Sequence, residues 1–398
     1  MNAVALQPGR IGGVTLRNRF IKTATFEGMT PAGRVTDRLI EHHAAMARHQ
    51  VALTTVAYAA VHRDGRTFED QLLLDHENAA GLARLAAAVH AEGGKVSAQL
   101  GHCGGFSRNQ GLTGGKPMGP SAAWNTYGLL LGVPRVRAMT AVDFDEIPRQ
   151  YAAAAALVRD AGFDAVEIHC GHGYLLSQFL SPAINRRRDE WGGDVAGRLR
   201  LPLAVVDAVR AVVGPGFPIL AKLNTRDDVP GGLEMFETIP IARALVAAGV
   251  DALVPSGGLV NKSPWYLMRG GVPLKAMIRA EHKWAQRWAL RLFGPMVMKR
   301  YAYRQNFFLD DAKRLLEAVD VPVALLGGVD SAAAVGQAME AGFEFVAMGR
   351  ALLADPDFIS RLASGEAVVS RCTHCNACVA EMDRGGVRCV LDGVPESA

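Results

Sequence analysis

Short apolar runs alternate with longer helical stretches along most of the 398-residue chain. Strands that alternate with helices form parallel sheets, and short strands covered on both faces have continuous apolar sequences. The run 323–326, Val-Ala-Leu-Leu, is of this kind. We predict eight strands, at residues 20–25, 51–58, 95–100, 165–169, 218–223, 252–255, 322–326 and 344–348. This pattern favours an α/β chain folded as a (β/α)8 barrel of the TIM type.

Glycines close several of the helices predicted between these strands. The helices are expected at 36–49, 78–91, 143–161, 196–213, 234–248, 310–319 and 331–341. Three of them end in Ala-Gly, at Gly162, Gly249 and Gly342, and glycine readily adopts the left-handed conformation that ends a helix. The alternative fold is an open doubly wound sheet. No glycine-rich turn follows the first predicted strand, which counts against a nucleotide-binding sheet of that type.

Composition narrows the class of protein. Hydrophobic residues make up 49% of the chain, which can bury a substantial core as one large domain or two ordinary ones. No apolar run is long enough to span a bilayer, and the amino terminus lacks the charged-then-apolar pattern of a secretory signal. We therefore expect a cytoplasmic protein. The net charge of +4 by itself indicates little, and we expect no nucleic-acid partner.

Two histidines and a tyrosine follow the fourth predicted strand, in the sequence His169-Cys-Gly-His172-Gly-Tyr174. In strand-and-helix proteins, the carboxyl ends of the strands carry the chemistry. Imidazoles at this position could hold a carbonyl oxygen, and the phenol could deliver a proton. The structural alternative is that the three side chains only tie down a loop.

The run 166–193, VEIHCGHGYLLSQFLSPAINRRRDEWGG, resembles the signature of the old yellow enzyme family. That family comprises FMN-dependent ene-reductases and includes the iron–sulfur dienoyl-CoA reductases and trimethylamine dehydrogenase. The resemblance extends from about residue 16 to about residue 389. It implies an FMN-binding barrel that uses NAD(P)H to reduce a small activated alkene. It also implies that His169 and His172 bind the activating carbonyl above the flavin, and that Tyr174 protonates the alpha carbon.

Two further strand ends carry polar side chains that suit a flavin ring. Gln99 ends the third predicted strand, and an amide can both donate and accept at the edge of the flavin pyrimidine. Lys222 ends the fifth, where a fixed cation would stabilise negative charge at the N1–C2 carbonyl of reduced flavin. The family resemblance carries these roles to Gln99 and Lys222. A buried, unpaired lysine is costly, which disfavours a purely structural role for Lys222.

Glycine-rich turns end the last two predicted strands, at Leu326-Gly-Gly328 and Met348-Gly349-Arg350. Such turns expose backbone N–H groups to a phosphate, and an arginine can pair with it through two hydrogen bonds. Barrels of this type commonly bind phosphate after strands seven and eight. The resemblance therefore assigns the FMN phosphate to Gly328, Gly349 and Arg350.

The first strand departs from the family pattern. Ala24 stands where many members have proline, and Thr25 and Phe26 follow it. Trimethylamine dehydrogenase attaches its flavin to a cysteine at the place of Phe26. We therefore expect non-covalent FMN, with Ala24 and Thr25 beside the flavin.

Four of the six cysteines lie near the carboxyl terminus, with the spacing C-x2-C-x2-C-x10-C. Four thiolates in so short a segment suit a [4Fe–4S] cluster or a tetrahedral zinc ion, and unmetallated thiols remain a third interpretation. The candidate ligands are Cys372, Cys375, Cys378 and Cys389. His374 is an alternative ligand. Cys103 and Cys170 have no partner at a suitable spacing, and we interpret both as packing residues.

A basic insertion follows the sixth predicted strand. Residues 259–306 contain ten Lys or Arg and one acid, Glu281. On a single helix, cations at every fourth position from 275 to 291 would form one stripe beside an apolar side. That apolar side would comprise Met277, Ile278, Trp284, Trp288 and Leu292. Such a helix could lie on an anionic membrane, bind the phosphates of NADPH or an acyl-CoA, form a dimer interface, or only cover the barrel mouth. Our hypothesis is that it covers the site and attracts an anionic ligand.

The sequence thus predicts an FMN-binding barrel at 1–365, a basic aromatic insertion at 258–306 and a Cys-rich tail at 366–398, in a chain that forms homo-oligomers. The expected reaction is NAD(P)H-driven reduction of an activated alkene. An iron–sulfur flavin dehydrogenase that oxidises a small amine or alcohol and passes electrons to an external carrier is the alternative. A non-catalytic, zinc-stabilised binding protein on a barrel scaffold is a third.

Overall fold

Eight parallel strands form the central sheet of the computed structural model, which describes residues 2–393. The barrel strands are β1 (Phe20–Lys22), β2 (Leu53–Ala60), β3 (Lys95–Gly101), β4 (Ala165–Cys170), β5 (Ile219–Asn224), β6 (Ala252–Ser256), β7 (Ala324–Leu326) and β8 (Phe345–Met348). Each strand pairs in parallel with its neighbours from β1 to β6, and β8 pairs with both β1 and β7. A parallel bridge between Leu253 and Val323 joins β6 to the start of β7. The sheet therefore closes into the predicted (β/α)8 barrel.

Helices alternate with the strands at the predicted places. The seven outer helices are Asp37–Arg48, Ala79–Ala91, Ala141–Asp160, Val195–Val213, Met235–Ala247, Leu309–Leu316 and Ala332–Glu340. The glycines that follow three of them, Gly162, Gly249 and Gly342, have φ values of +87°, +105° and +91°. Left-handed glycines end these helices, as the Ala-Gly pairs predicted.

A short hairpin closes the amino-terminal end of the barrel. Its strands are Gly9–Ile11 and Val14–Leu16, paired antiparallel. The buried side chains of Ile11 and Leu16 pack in one cluster with inward residues of the barrel, among them Ile21, Leu220 and Phe345. Burying such a side chain stabilises the fold by about 1.5–3 kcal/mol. The hairpin therefore fills this end with apolar side chains and leaves the carboxyl end for a site.

Three segments cover the carboxyl end. The segment after β3 contains three short strands, Met118–Gly119, Ala123–Trp124 and Arg135–Ala138. The insertion after β6 contains the helices Pro264–Leu267, Leu274–Ala280 and Trp284–Val297. The helix Cys378–Glu381 lies in the tail, and Asn376 Nδ2 donates to the insertion at Met268 O and Gly271 O, the latter over 2.8 Å. Among residues 2–393, no helix is long and apolar enough to cross a membrane.

The prediction of one continuous basic stripe along the insertion is wrong. The backbone is extended at Glu281 and again at Lys283, so the segment folds as two helices with a break between them. Glu281 Oε1 accepts a hydrogen bond from the Lys283 N–H over 2.9 Å, which favours the break. The expected apolar side is divided as well. Met277 faces the cavity of the barrel, whereas Trp284 and Trp288 are exposed.

Candidate active site

A cavity of about 710 Å³ lies at the carboxyl end of the barrel. Each of the eight strands contributes lining at or just beyond its carboxyl end. Representative lining residues, in strand order, are Thr25, Tyr58, Gln99, His169, Lys222, Ser256, Gly328 and Arg350. The insertion after β6 and the segment after β3 supply further walls. Because the other end is filled by the hairpin, this is the position expected for a ligand site.

His169 and His172 lie together on one wall, with ring centroids 5.0 Å apart. His169 is buried, and its Nδ1 has no hydrogen-bond partner among the described residues. His172 has a φ of +60° between two glycines, and its Nε2 lies 2.7 Å from Ser256 Oγ. Burial lowers the pKa of both imidazoles, that of His172 to about 3, and the nearby Lys222 lowers both further. Both rings are therefore neutral at physiological pH, and a neutral imidazole still has one N–H to donate.

Tyr174 completes the predicted set. Its ring centroid lies 4.3 Å from that of His169, and the side chain is buried. Burial raises the pKa of the Tyr174 phenol well above its usual range, and nearby Cys103 adds to the shift. The phenol is therefore protonated and able to donate. The structure brings His169, His172 and Tyr174 together, as predicted.

Tyr58 is a neighbour that the sequence analysis missed. It lies between Phe26 and Tyr174, with ring centroids 5.2 Å from each. Burial raises the pKa of its phenol well above the usual range, and the Tyr174 phenol contributes to the shift. Tyr58 stands at the end of the second predicted strand, so the rule that identified Gln99, a polar side chain at a strand end, would have identified it too.

Gln99 and Lys222 meet at the floor of the cavity through a carboxylate that the sequence analysis also missed. Lys222 Nζ donates to Glu167 Oε1 and to Thr23 Oγ1, each over 2.9 Å. Gln99 Nε2 donates to the same Glu167 oxygen over 2.6 Å, and its Oε1 accepts from the Tyr58 N–H over 3.1 Å. Lys222 is therefore paired with a carboxylate rather than unpaired. The ion pair with Glu167 offsets the cost of burying the ammonium group.

The remaining predicted flavin residues also line the cavity. Ala24 and Thr25 lie beside the floor. Gly328 has a φ of +87°, and a Cβ there would lie 2.8 Å from both Arg304 O and Asn306 N, so the turn admits only glycine. Gly349 and Arg350 border the cavity from β8. Arg350 Nη1 donates to Asn376 Oδ1 and, over 3.1 Å, to Arg269 O, so the guanidinium ties the tail and the insertion to the barrel.

These features fit a bound FMN. The floor presents an amide and a cation, one imidazole nitrogen is buried without a partner, and close-fitting glycine turns form one side. Buried polar atoms without a partner are uncommon in folded proteins and indicate a missing ligand or water.

The four tail cysteines line one small pocket next to Arg350. Within residues 2–393, however, no three His, Cys, Asp or Glu side chains are arranged to hold one metal ion. His374 lies beside one of these cysteines, with its Nδ1 3.8 Å from Cys372 Sγ, while its Nε2 lies 3.1 Å from Asp330 Oδ2 and its ring stacks on Tyr303 at 3.4 Å. Cys103 and Cys170 are buried away from the tail, and burial raises the pKa of each thiol to about 12.

The sequence of this chain matches one family model and is similar to several known proteins. The model of the NADH:flavin oxidoreductase / NADH oxidase family matches residues 6–261. The 4,4'-dithiodibutanoate disulfide reductase of Rhodococcus erythropolis is 40% identical over 386 residues, which cover 97% of this chain and 94% of the relative. The NADH oxidase of Thermoanaerobacter brockii is 30% identical over 374 residues, 92% of this chain, but the match spans only 52% of that relative.

The fold has solved counterparts. The structure of an old yellow enzyme homologue from Zymomonas mobilis matches with a TM-score of 0.71 at 21% identity, covering 93% of this chain and 95% of that one. At that identity the likeness concerns the barrel fold.

Proposed function

The chain belongs to the NADH:flavin oxidoreductase / NADH oxidase family and is an NAD(P)H-dependent flavin oxidoreductase, and we propose that it reduces small activated alkenes. When bound, FMN supplies hydride transfer from NAD(P)H to the beta carbon of the alkene. The protein has to hold the electron-withdrawing oxygen and supply one proton to the alpha carbon. The observation that carries the proposal is the buried group of two neutral imidazoles and a protonated phenol on one wall of the cavity.

The imidazoles suit the substrate's carbonyl oxygen. If the Ser256 hydroxyl donates to His172 Nε2, the remaining ring proton lies on Nδ1 and is free for the substrate. His169 has a nitrogen without a partner at the same wall. Two N–H donors at one oxygen would stabilise the negative charge that develops there as hydride adds to the beta carbon.

The Tyr174 phenol supplies the proton that the reaction needs. Tyr174 would give its proton to the alpha carbon while the alkene π bond is lost, and solvent would then reprotonate the phenolate. Interaction with the Tyr58 and Thr67 hydroxyls lowers the pKa of Tyr174 against the larger effect of burial, which would ease the loss of the proton. Ala24, Thr25, Gln99 and Lys222 would hold the flavin ring, and Gly328, Gly349 and Arg350 its phosphate.

Tyr174→Phe tests this assignment. We expect the variant to slow reoxidation of the reduced enzyme by cyclohexenone roughly a hundredfold or more, because general acid catalysis is lost. Flavin reduction by NAD(P)H should stay within about twofold. Stopped-flow absorbance of the two half-reactions measures both rates. Equal slowing of the two halves, or no slowing of either, would contradict a proton-donor role for Tyr174.

Reduction of a small disulfide is a second candidate, favoured by the relative from Rhodococcus erythropolis that matches nearly the whole chain. Hydride would add to one sulfur, the S–S bond would break, and the leaving thiolate would take a proton from Tyr174. Mixing the reduced enzyme with 4,4'-dithiodibutanoate or with cyclohexenone distinguishes the two. If the disulfide reoxidises the reduced enzyme faster than cyclohexenone does, the disulfide is the preferred substrate and the alkene a secondary one.

The metal content of the Cys-rich tail bears on a third possibility, an iron–sulfur flavin dehydrogenase. We propose that Cys372, Cys375, Cys378 and Cys389 come together on a [4Fe–4S] cluster or a zinc ion, because they line one pocket beside Arg350, although among residues 2–393 no three of them are arranged around one ion in this structure. Anaerobic purification with iron, zinc and sulfide assays, in wild type and Cys378→Ser, separates the alternatives. About four irons per chain would favour the dehydrogenase that passes electrons to an external carrier. Zinc would indicate a structural tail, and metal-free protein would leave simple thiols.

A further inference from the structure

We propose that Arg108 binds an anionic group at the far end of the substrate, so that the preferred substrates carry a carboxylate, an apolar middle and a reducible group. This inference deepens the proposed function and rests on it only in taking the Tyr174 end of the cavity as the reacting end. Arg108 lies in the segment after β3 and lines the same cavity as His169 and Tyr174.

Arg108 is separated from the reacting wall by two aromatic rings. The Phe106 ring centroid lies 5.0 Å from that of Tyr174, and the Tyr127 centroid lies 6.1 Å from that of Phe106. The Arg108 guanidinium lies 5.2 Å from the Tyr127 ring. Tyr127 lines the cavity and Phe106 lies buried behind its wall, so a ligand that reached from Tyr174 to Arg108 would be an elongated molecule that passes the Tyr127 ring.

The charge of Arg108 has no counter-ion in the described part of the chain. No carboxylate among residues 2–393 lies within 4 Å of its guanidinium, and Nη2 donates only to the Gln286 amide oxygen, over 3.3 Å. Two other cavity cations are engaged, since Lys222 pairs with Glu167, and Arg350 donates to Asn376. A half-buried guanidinium that meets only an amide and a ring is a natural partner for a carboxylate.

Two acids in the cavity act on Arg108 from a distance. They are Glu281 and Asp383. One carboxylate oxygen of Glu281 is already held by the Lys283 N–H. Burial raises the pKa of Asp383, although nearby Arg108 lowers it. Neither acid makes a direct contact with Arg108, so room remains for an anion from outside.

A phosphate of NADPH has the same chemistry as a substrate carboxylate, and a matched substrate pair distinguishes them. The probes are a straight-chain enone that ends in a carboxylate and its methyl ester. We expect Arg108→Gln to raise KM for the acid about tenfold or more, because a charge-assisted hydrogen bond to the carboxylate is lost. KM for the ester and for NADPH should stay within about twofold.

Two control variants locate the effect. Arg135 is an exposed arginine of the same segment, stacked over Trp124 at 3.7 Å, outside the cavity lining. Arg135→Gln should leave the acid-to-ester ratio unchanged. Lys262 is another cation in the cavity lining without a carboxylate within 4 Å among the described residues. A loss of the preference for the acid in Lys262→Gln, but not in Arg108→Gln, would overturn the assignment.

Binding of the saturated ketone acid and its ester, followed by the change in flavin absorbance, needs no turnover. If Arg108→Gln weakens binding of the acid but not of the ester in this titration, Arg108 is the anion site. This conclusion would hold even if Tyr174→Phe is fully active and the proposed reaction fails. If Arg108→Gln weakens acid and ester equally, or raises KM for NADPH alone, Arg108 is not a substrate anchor. Flavin content and the melting temperature of each variant show that the fold is intact.

Discussion

Glu167 holds two of the residues at the cavity floor in place. One of its carboxylate oxygens accepts hydrogen bonds from both Lys222 and Gln99, and all three side chains are buried. A buried ion pair contributes little net stability compared with apolar packing, but the loss of one partner leaves the other charge without compensation. Glu167 therefore fixes the position of the cation and the amide that would face a flavin ring.

Glu167→Gln should destabilise the protein by about 3–5 kcal/mol, because the Lys222 ammonium group would be left buried without a counter-charge. Urea unfolding with and without added FMN measures this loss, and the Kd for FMN should rise. Glu146→Gln, which removes an exposed ion pair with Arg149, is the control and should change stability little. Similar midpoints for the two variants would show that Lys222 does not depend on Glu167.

The buried histidines make stability depend on pH. Burial lowers the pKa of His172 to about 3 in the folded protein, whereas an unfolded histidine titrates near 6.5. Between these values the unfolded chain binds more protons, so stability is complete above about pH 6.5 and is lost as the pH falls towards 3. His172→Asn should flatten this dependence in urea midpoints measured between pH 7 and pH 4. Parallel curves for wild type and variant would mean that folding does not lower the pKa of His172.

Some site residues could be found from the sequence and others could not. His169, His172, Tyr174, Gln99 and Lys222 all follow or end an apolar strand, and the barrel brings strand ends together by its geometry. Glu167 lies inside the strand β4. Its role could not be predicted from neighbouring residues, because its partner Lys222 is distant in sequence. Arg108 lies in a segment whose path is set by tertiary contacts.

Among the elements, the insertion after β6 differs most from what its sequence predicts. The strands and outer helices followed their local patterns, in which apolar periodicity and terminal glycines act within one element. The insertion instead folds around a side-chain contact at Glu281, and its wall against the cavity takes apolar residues from both helices. Periodicity alone cannot show where such a helix breaks.

The helix Trp284–Val297 presents an exposed apolar row at every fourth position. Trp284, Trp288, Leu292 and Met296 are 76%, 53%, 61% and 82% exposed. Cations lie beside this row at Lys283 and Arg291. An apolar face with flanking cations suits the surface of an anionic membrane.

We expect the wild-type protein to co-sediment with vesicles that contain phosphatidylserine, and less with neutral vesicles. Trp284→Ser combined with Trp288→Ser should abolish this binding while flavin content is retained. Trp124→Ser, which removes an exposed tryptophan elsewhere, is the control. A wild type that ignores anionic vesicles would rule out a membrane role, and a change of oligomeric state in the double variant would identify the row as a subunit interface.

The molecule as a whole joins three distant parts of the chain around one cavity. Asn376 in the tail donates to the insertion and accepts from Arg350 of the barrel. A change in the tail, such as the gain or loss of a metal, would therefore reach the glycine turns that border the cavity. The insertion, tail and barrel act on the same site although their sequences show no common pattern.

The hairpin that fills the amino-terminal end of the barrel has a kinetic consequence. Since Ile11 and Leu16 pack into that end, NAD(P)H and the substrate would both enter from the carboxyl end. The oxidised nicotinamide would then have to leave before the substrate could bind. Each reactant would also inhibit the reaction by binding the form of the enzyme that reacts with the other one. If the two reactants share this one entrance and one binding position, the apolar filling at the opposite end would favour a mechanism in which electrons are received and delivered alternately.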